Sequence, residues 1–191
     1  MKSSYSGPLR DEPLAVELHN TLYAAGGELV DGVENAEGLS AWLAAIADRL
    51  PERARGADPS RHAEFLALRD AVREALHAPL DGKGVPAAAL RAINAAAARA
   101  PVSPRAVVGA DGRLRVETHQ HTADATDVAL ATLAADAIEL LTGSGRQDIR
   151  ACRAPNCVLM FFRDNPRRRW CSAACGNRAR QARHYARTRR G

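Results

Sequence analysis

Cysteine is missing from the first 151 residues of this 191-residue chain, and aromatic residues make up only 4% of it. No stretch of about 18 consecutive apolar residues occurs, which excludes a membrane-spanning helix by hydropathy. No apolar run precedes Arg10, Asp11 and Glu12, so the N-terminus does not read as a secretory signal. The expectation is a cytoplasmic protein with no membrane partner. The hydrophobic fraction of 46% excludes a wholly disordered chain. Much of that fraction is alanine, which predicts close-packed helices rather than a bulky aromatic core. The length suits one domain, or one domain with a small module. Catalytic constellations are missing as well. No glycine-rich loop follows a strand to cradle phosphate, no paired carboxylates stand out, and Ser172 and His184 have no third partner. The expectation is a protein that is not an enzyme.

Acids are scarce in one region. Residues 146–191 hold thirteen arginines against two acids, Asp148 and Asp164, a formal charge of +11. Residues 1–145 hold 14 Lys and Arg against 20 Asp and Glu, a formal charge of −6. An acidic body with a basic tail points to a polyanion, nucleic acid ahead of lipid. The plainer alternatives are a solvated arginine-rich face, or docking of that face onto the acidic body.

Hydrophobic periodicity predicts five helices ahead of the tail. The first covers 13–25, with Leu14, Leu18, Leu22 and Ala25 in one stripe, ended by Gly26 and Gly27. The second covers 37–50, with Leu39, Trp42, Leu43, Ile46 and Leu50. Ser60 is placed to cap a third at 61–78, facing in with Phe65, Leu68, Val72 and Leu76. A fourth at 86–99 starts on Pro86. Residues 101–105 break the pattern. A short hairpin turns at Asp111-Gly112. The fifth helix covers 123–142, facing in with Leu130, Leu133, Ala137, Leu140 and Leu141. Residues 143–146 read as a hinge.

All four cysteines fall within 24 residues: Cys152, Cys157, Cys171 and Cys175, spaced Cys-x4-Cys-x13-Cys-x3-Cys. In a cytosolic chain such a cluster argues for metal before disulfides. Four soft thiolates from two tight local segments suit a structural zinc ion, ahead of an iron–sulfur cluster or a redox pair. Pro155 and Asn156 supply turn chemistry between the first two. Val158–Phe162 reads as a strand returning through Asp164-Asn165-Pro166 to a second strand at Arg167–Trp170. From Ser172 the chain reads as helix carrying the last two ligands, Cys171 at its start and Cys175 one turn in. Knuckle, hairpin and helix in that order are treble-clef-like, and a module this small needs the metal to fold. His119-x-His121, near Asp124 and Asp127, is a weaker metal-like combination that reads more simply as a polar strand end.

On the last helix Cys175, Ala179, Ala182 and Ala186 share a narrow small-residue face, expected to lie against the hairpin. Arg180, Arg183, Arg187 and Arg190 form a positive stripe beside it, followed by Asn177, Gln181 and His184, with Arg178 on the other shoulder. Arginine pairs with phosphate or guanine, and Asn and Gln read adenine edges, so duplex DNA is the expected partner ahead of RNA or protein. Arg167, Arg168 and Arg169 are placed to clamp a neighbouring phosphate. Asn20 and Tyr23 share a face of the first helix and form a candidate effector pocket, the effector being unknown.

The run Trp170-Cys171-Ser172-Ala173-Ala174-Cys175-Gly176-Asn177-Arg178 resembles the signature of the CGNR zinc finger family. The upstream Cys152 and Cys157, the Phe161-Phe162 and Asp164 segment, and the arginines before Trp170 fit the same pattern. Leu18-His19-Asn20-Thr21-Leu22, Trp42-Leu43 and Leu68-Arg69-Asp70-Ala71-Val72-Arg73 resemble, in order, the ABATE domain that precedes this finger. The resemblance implies a stress-linked transcription regulator, with Cys152, Cys157, Cys171 and Cys175 as zinc ligands. It leaves Asn177 and Arg178 as DNA contacts or as structural partners of the knuckle. The combined expectation is a mainly α protein. A helical domain with one short β-hairpin spans 1–145, sensing a signal or forming a homodimer. A treble-clef-like zinc module that binds DNA spans 146–191.

Overall fold

The computed structural model describes residues 5–189. Helix α1 (Leu14–His19) is short and leads into a hairpin of β1 (Leu22–Ala25) and β2 (Glu28–Asp31). Helix α2 (Ala36–Ala45), capped by Asn35, leads through two 3-10 turns to the long α3 (His62–Leu80). Then come α4 (Ala87–Ala97), the hairpin β3 (Val102–Val108) and β4 (Leu114–Gln120), and α5 (Ala125–Thr142), capped by Asp124. A 3-10 turn precedes the third hairpin, β5 (Ile149–Ala151) with β6 (Met160–Phe162), and α6 (Ala173–Thr188) follows. Among the described residues there are three sheets, each two-stranded and antiparallel.

α5 is the central helix and packs on α1, α3 and α4. Leu130, Leu133, Ala137, Leu140 and Leu141 are all buried, as the periodicity predicts. So are Phe65, Leu68, Val72 and Leu76 of α3, and Leu39, Trp42 and Leu43 of α2.

Several expectations need correction. The first helix stops at His19, not at 25, because Gly26 and Gly27 adopt positive φ and close a two-residue turn that pairs Ala25 with Glu28. The N-terminus of α1 has no local cap. Asp136 of α5 supplies it, accepting from the Ala15 amide at 2.8 Å. Ser60 does not cap α3: it sits in a 3-10 turn capped by Asp58. Residues 102–105, read as a break, belong to strand β3. Residues 143–146 are no open hinge, since a 3-10 helix (Ser144–Asp148) joins α5 to β5. The finger's hairpin is closed by β5 rather than by 167–170, which form no strand. Ile149 and Met160 lie in the same core as α1, α3 and α5, and Phe162 packs against it. The basic module therefore shares its hydrophobic interior with the body.

Candidate metal centre and the basic helix beside it

Each ligand is delivered by a short local device. Cys152 follows β5, and its amide donates to Leu159 O at 2.9 Å across the knuckle. Asn156 takes the left-handed conformation at φ 57° that turns the chain back before Cys157. Ser172 caps α6, its Oγ accepting from the Cys175 amide at 3.2 Å, which sets Cys171 and Cys175 on either side of the helix start. Gly176 is buried, and a Cβ there would stand 3.2 Å from the Trp170 ring. Trp170 and Ala179, with Leu159 and Phe161, wrap the cysteines in a second small apolar cluster.

The four Sγ atoms lie within 4.8 Å of one another. Cys157–Cys171 and Cys157–Cys175 are 3.8 Å apart, and Cys171–Cys175 is 3.4 Å. Four sulfurs about 2.3 Å from one ion define a tetrahedron with edges of about 3.8 Å, so the spacing fits zinc. All four cysteines are free thiols. Crowding makes them poor company for one another without a cation. A thiolate at Cys152 is favoured by hydrogen bonds from Cys157 and Cys171, and in consequence Cys157 is pushed up to about 11 and Cys171 is pushed up as well. The Arg178 guanidinium lies 3.2 Å from the Cys175 sulfur, placed to hold it and offset its charge. Among the described residues this is the one cluster fit to hold a metal. His121 instead bonds Ser103, while Asp124 caps α5 and pairs with Arg61.

The other nominated residues fall into distinct settings. From Arg180 to Arg189 every residue of α6 and its cap is exposed, including Ala182 and Ala186. The small-residue face therefore packs only as far as Ala179, and the rest of the helix projects from the body. Arg180, Gln181, Arg183, His184 and Arg187 line one continuous shallow surface on it. Asn177 accepts from Arg180, whose guanidinium lies 6.0 Å over the Trp170 ring. Arg167 and Arg169 are on the loop before Trp170. Arg190 lies outside the described residues.

Arg168 turns inward. It pairs with the buried carboxylate of Glu12, donates to Phe162 O at 2.9 Å and lies 4.8 Å over the Phe161 ring. Glu12 also accepts from the Phe162 amide at 2.7 Å. Nothing in the sequence marks this pair, whose members are 156 positions apart.

Asn20 is fully buried. It accepts from the Met160 amide and donates to the Met160 carbonyl, both at 2.9 Å, so it holds β6 as a further strand would. Tyr23 packs against the cysteine cluster and borders a cleft of about 450 Å³ with Arg10, Ser172 and Arg178. The flanking motif residues have related tasks. His19 lies between Asn20 and His77, Arg69 pairs with Asp31 at 2.6 Å, and Arg73 donates to the His19 carbonyl at 2.9 Å.

Comparison with known families agrees with this geometry. Residues 12–144 match the ABATE family, described as "Putative stress-induced transcription regulator". Residues 149–188 match the CGNR zinc finger. No curated protein matches the chain. The finger match and the four-sulfur geometry together make Cys152, Cys157, Cys171 and Cys175 the site of one structural zinc ion. With the first match covering most of its length, the chain belongs to the ABATE family and carries a CGNR zinc finger behind that domain.

Proposed function

We propose that this protein regulates transcription in the cytoplasm by binding duplex DNA through α6, while the ABATE domain senses a signal or joins two copies. The observation that carries this reading is the free, basic length of α6. Among the described residues, Arg167, Arg169, Arg180, Arg183, Arg187 and Arg189 form no ion pair, whereas Arg163 and Arg168 pair with acids and Arg178 lies on the Cys175 sulfur. That argues against the basic face serving as a dock for the acidic body. A 16-residue helix is about 24 Å long and fits a major groove about 12 Å wide. Arg180, Arg183 and Arg187 would meet phosphates or guanines, with Gln181 and His184 beside them at base edges. Zinc would be structural here, because four thiolates leave no open position for a substrate.

The test is fluorescence anisotropy of zinc-loaded protein with random duplex DNA across a salt series. Binding should weaken steeply with salt. Replacing Arg180, Arg183 and Arg187 together by Ala should flatten the log–log slope by about 2.7, at about 0.9 per phosphate contact. No binding at low salt would end the DNA reading. Displacement of the duplex by RNA at lower concentration would move the protein to the RNA-binding class.

A further inference from the structure

The β3–β4 hairpin carries its apolar side in water. Pairing is Val108 with Leu114, Ala106 with Val116 and Pro104 with Thr118. Alternation places these six side chains, Val102 and its partner Gln120 on one face; the first seven are exposed and Gln120, at the base of the hairpin, is half-buried. Val102 is 56% exposed, Val108 68%, Val116 76% and Leu114 77%. The opposite face carries Ser103, Arg105, Val107, Arg115, Glu117 and His119, and three of these, Ser103, Val107 and His119, are partly covered. An isolated two-stranded ribbon is marginal in water, so a bare apolar face on one calls for a cover.

We infer that this face is a homodimer interface, packed against the same face of a second copy of the chain. This fills in the dimer-forming half of the proposed function and is testable without nucleic acid, so either reading can fail alone. Three observations select the second copy.

The face has no charged residue at any of its eight positions, so stacking it on itself buries no charge. The other large exposed apolar residues, Leu9, Leu29, Leu80, Leu90, Val158 and Tyr185, are spread over other elements. Among the described residues, the best match for this face is therefore the face itself. A self-complementary contact closes at two copies.

The area reaches the lower limit of a specific interface. Covering Val102, Val108, Leu114 and Val116 completely would remove about 450 Å² per copy. With Pro104, Ala106 and Thr118 also covered, two copies bury at most about 1,200 Å², the lower end for specific interfaces.

The outer edge of β3 is interrupted for strand addition at Pro104. Hydrogen bonds Gly109 N to Arg113 O and His121 N to Pro101 O mark the bonded pairs, so Pro104 falls on an unbonded pair. A residue there would point its N–H outward, and proline has none. That disfavours joining two copies through their β3 edges.

The experiment is sedimentation equilibrium of the full-length, zinc-loaded chain across a protein concentration series without DNA. The wild type should pass from monomer to dimer in the micromolar range. Leu114→Glu with Val116→Glu should weaken the dimer about 100-fold. Both positions are exposed, so zinc content and helical circular dichroism should stay as in the wild type. Arg115→Ala, on the opposite face, should leave the dimer intact. A wild type that stays monomeric overturns the inference. So does a dimer indifferent to the L114E/V116E pair, which would place the interface elsewhere.

Discussion

Glu12 and Arg168 show how much one pair can decide. The Glu12 carboxylate is 2% exposed, and burial displaces it upward from the ordinary carboxylate range, against the Phe162 amide and the Arg168 guanidinium that favour its charge. Its charge is tolerated because those two donors meet it. Removing the guanidinium strands that charge, so Arg168→Ala should cost about 3 kcal/mol in urea denaturation. Glu12→Gln in the same chain keeps an acceptor for the Phe162 amide and removes the orphaned charge. The double variant should therefore be more stable than the sum of the single losses by about 1 kcal/mol or more. Simple additivity would mean that the pair contributes nothing to joining the finger to the body. Asn20 acts in the same seam, with Met160 held by both its backbone groups.

At the scale of elements, α1 and α3 meet through two histidines, His19 Nε2 lying 3.1 Å from His77 Nε2. Burial, helped by the nearby Arg73, pushes the His19 imidazole down to about 3, and burial lowers His77 too. The unfolded chain takes up a proton near pH 6.5 that folded His19 refuses. Stability linked to His19 is therefore complete above that pH and is lost as pH falls toward 3, by up to about 1.4 kcal/mol per unit. Glu12 and Glu17 are displaced upward by burial and act in the opposite sense, so the comparison must be with His19→Gln. Wild-type stability from urea melts should fall more steeply between pH 6.5 and 5 than that of the variant. Equal slopes would show that His19 titrates normally in the fold.

For the whole molecule, the question is whether zinc holds only its own module. Ile149 and Met160 sit in the main core beside α1 and α3. Loosening the knuckle should be felt there. Zinc chelation, or Cys171→Ser, should lower the melting temperature by about 10 °C, equivalent to about 3 kcal/mol at this chain length. Amide exchange should show β5, β6 and α1 losing protection with α6, while α4, remote from the seam, keeps its own. Loss confined to 171–188 would mean that the two parts melt independently.

The amino-acid sequence by itself determined the zinc ligands, the inward faces of α2, α3 and α5, the start of α6 and the division of charge. Each is local: ligand spacing, helical period or a count of arginines. Tertiary structure decided the rest. α1 ends early and is capped by Asp136, β6 pairs with β5, Asn20 serves Met160, and Arg168 is drawn inward by Glu12. Those partners lie far apart in the chain, and neither carries a mark of the other. Exposure was equally hidden. The alternation of β3 and β4 shows two faces but not which one meets water, and the alanines at 182 and 186 do not reveal that the body ends before them. Burial depends on where neighbouring elements stop, and that is settled only when the whole chain has packed.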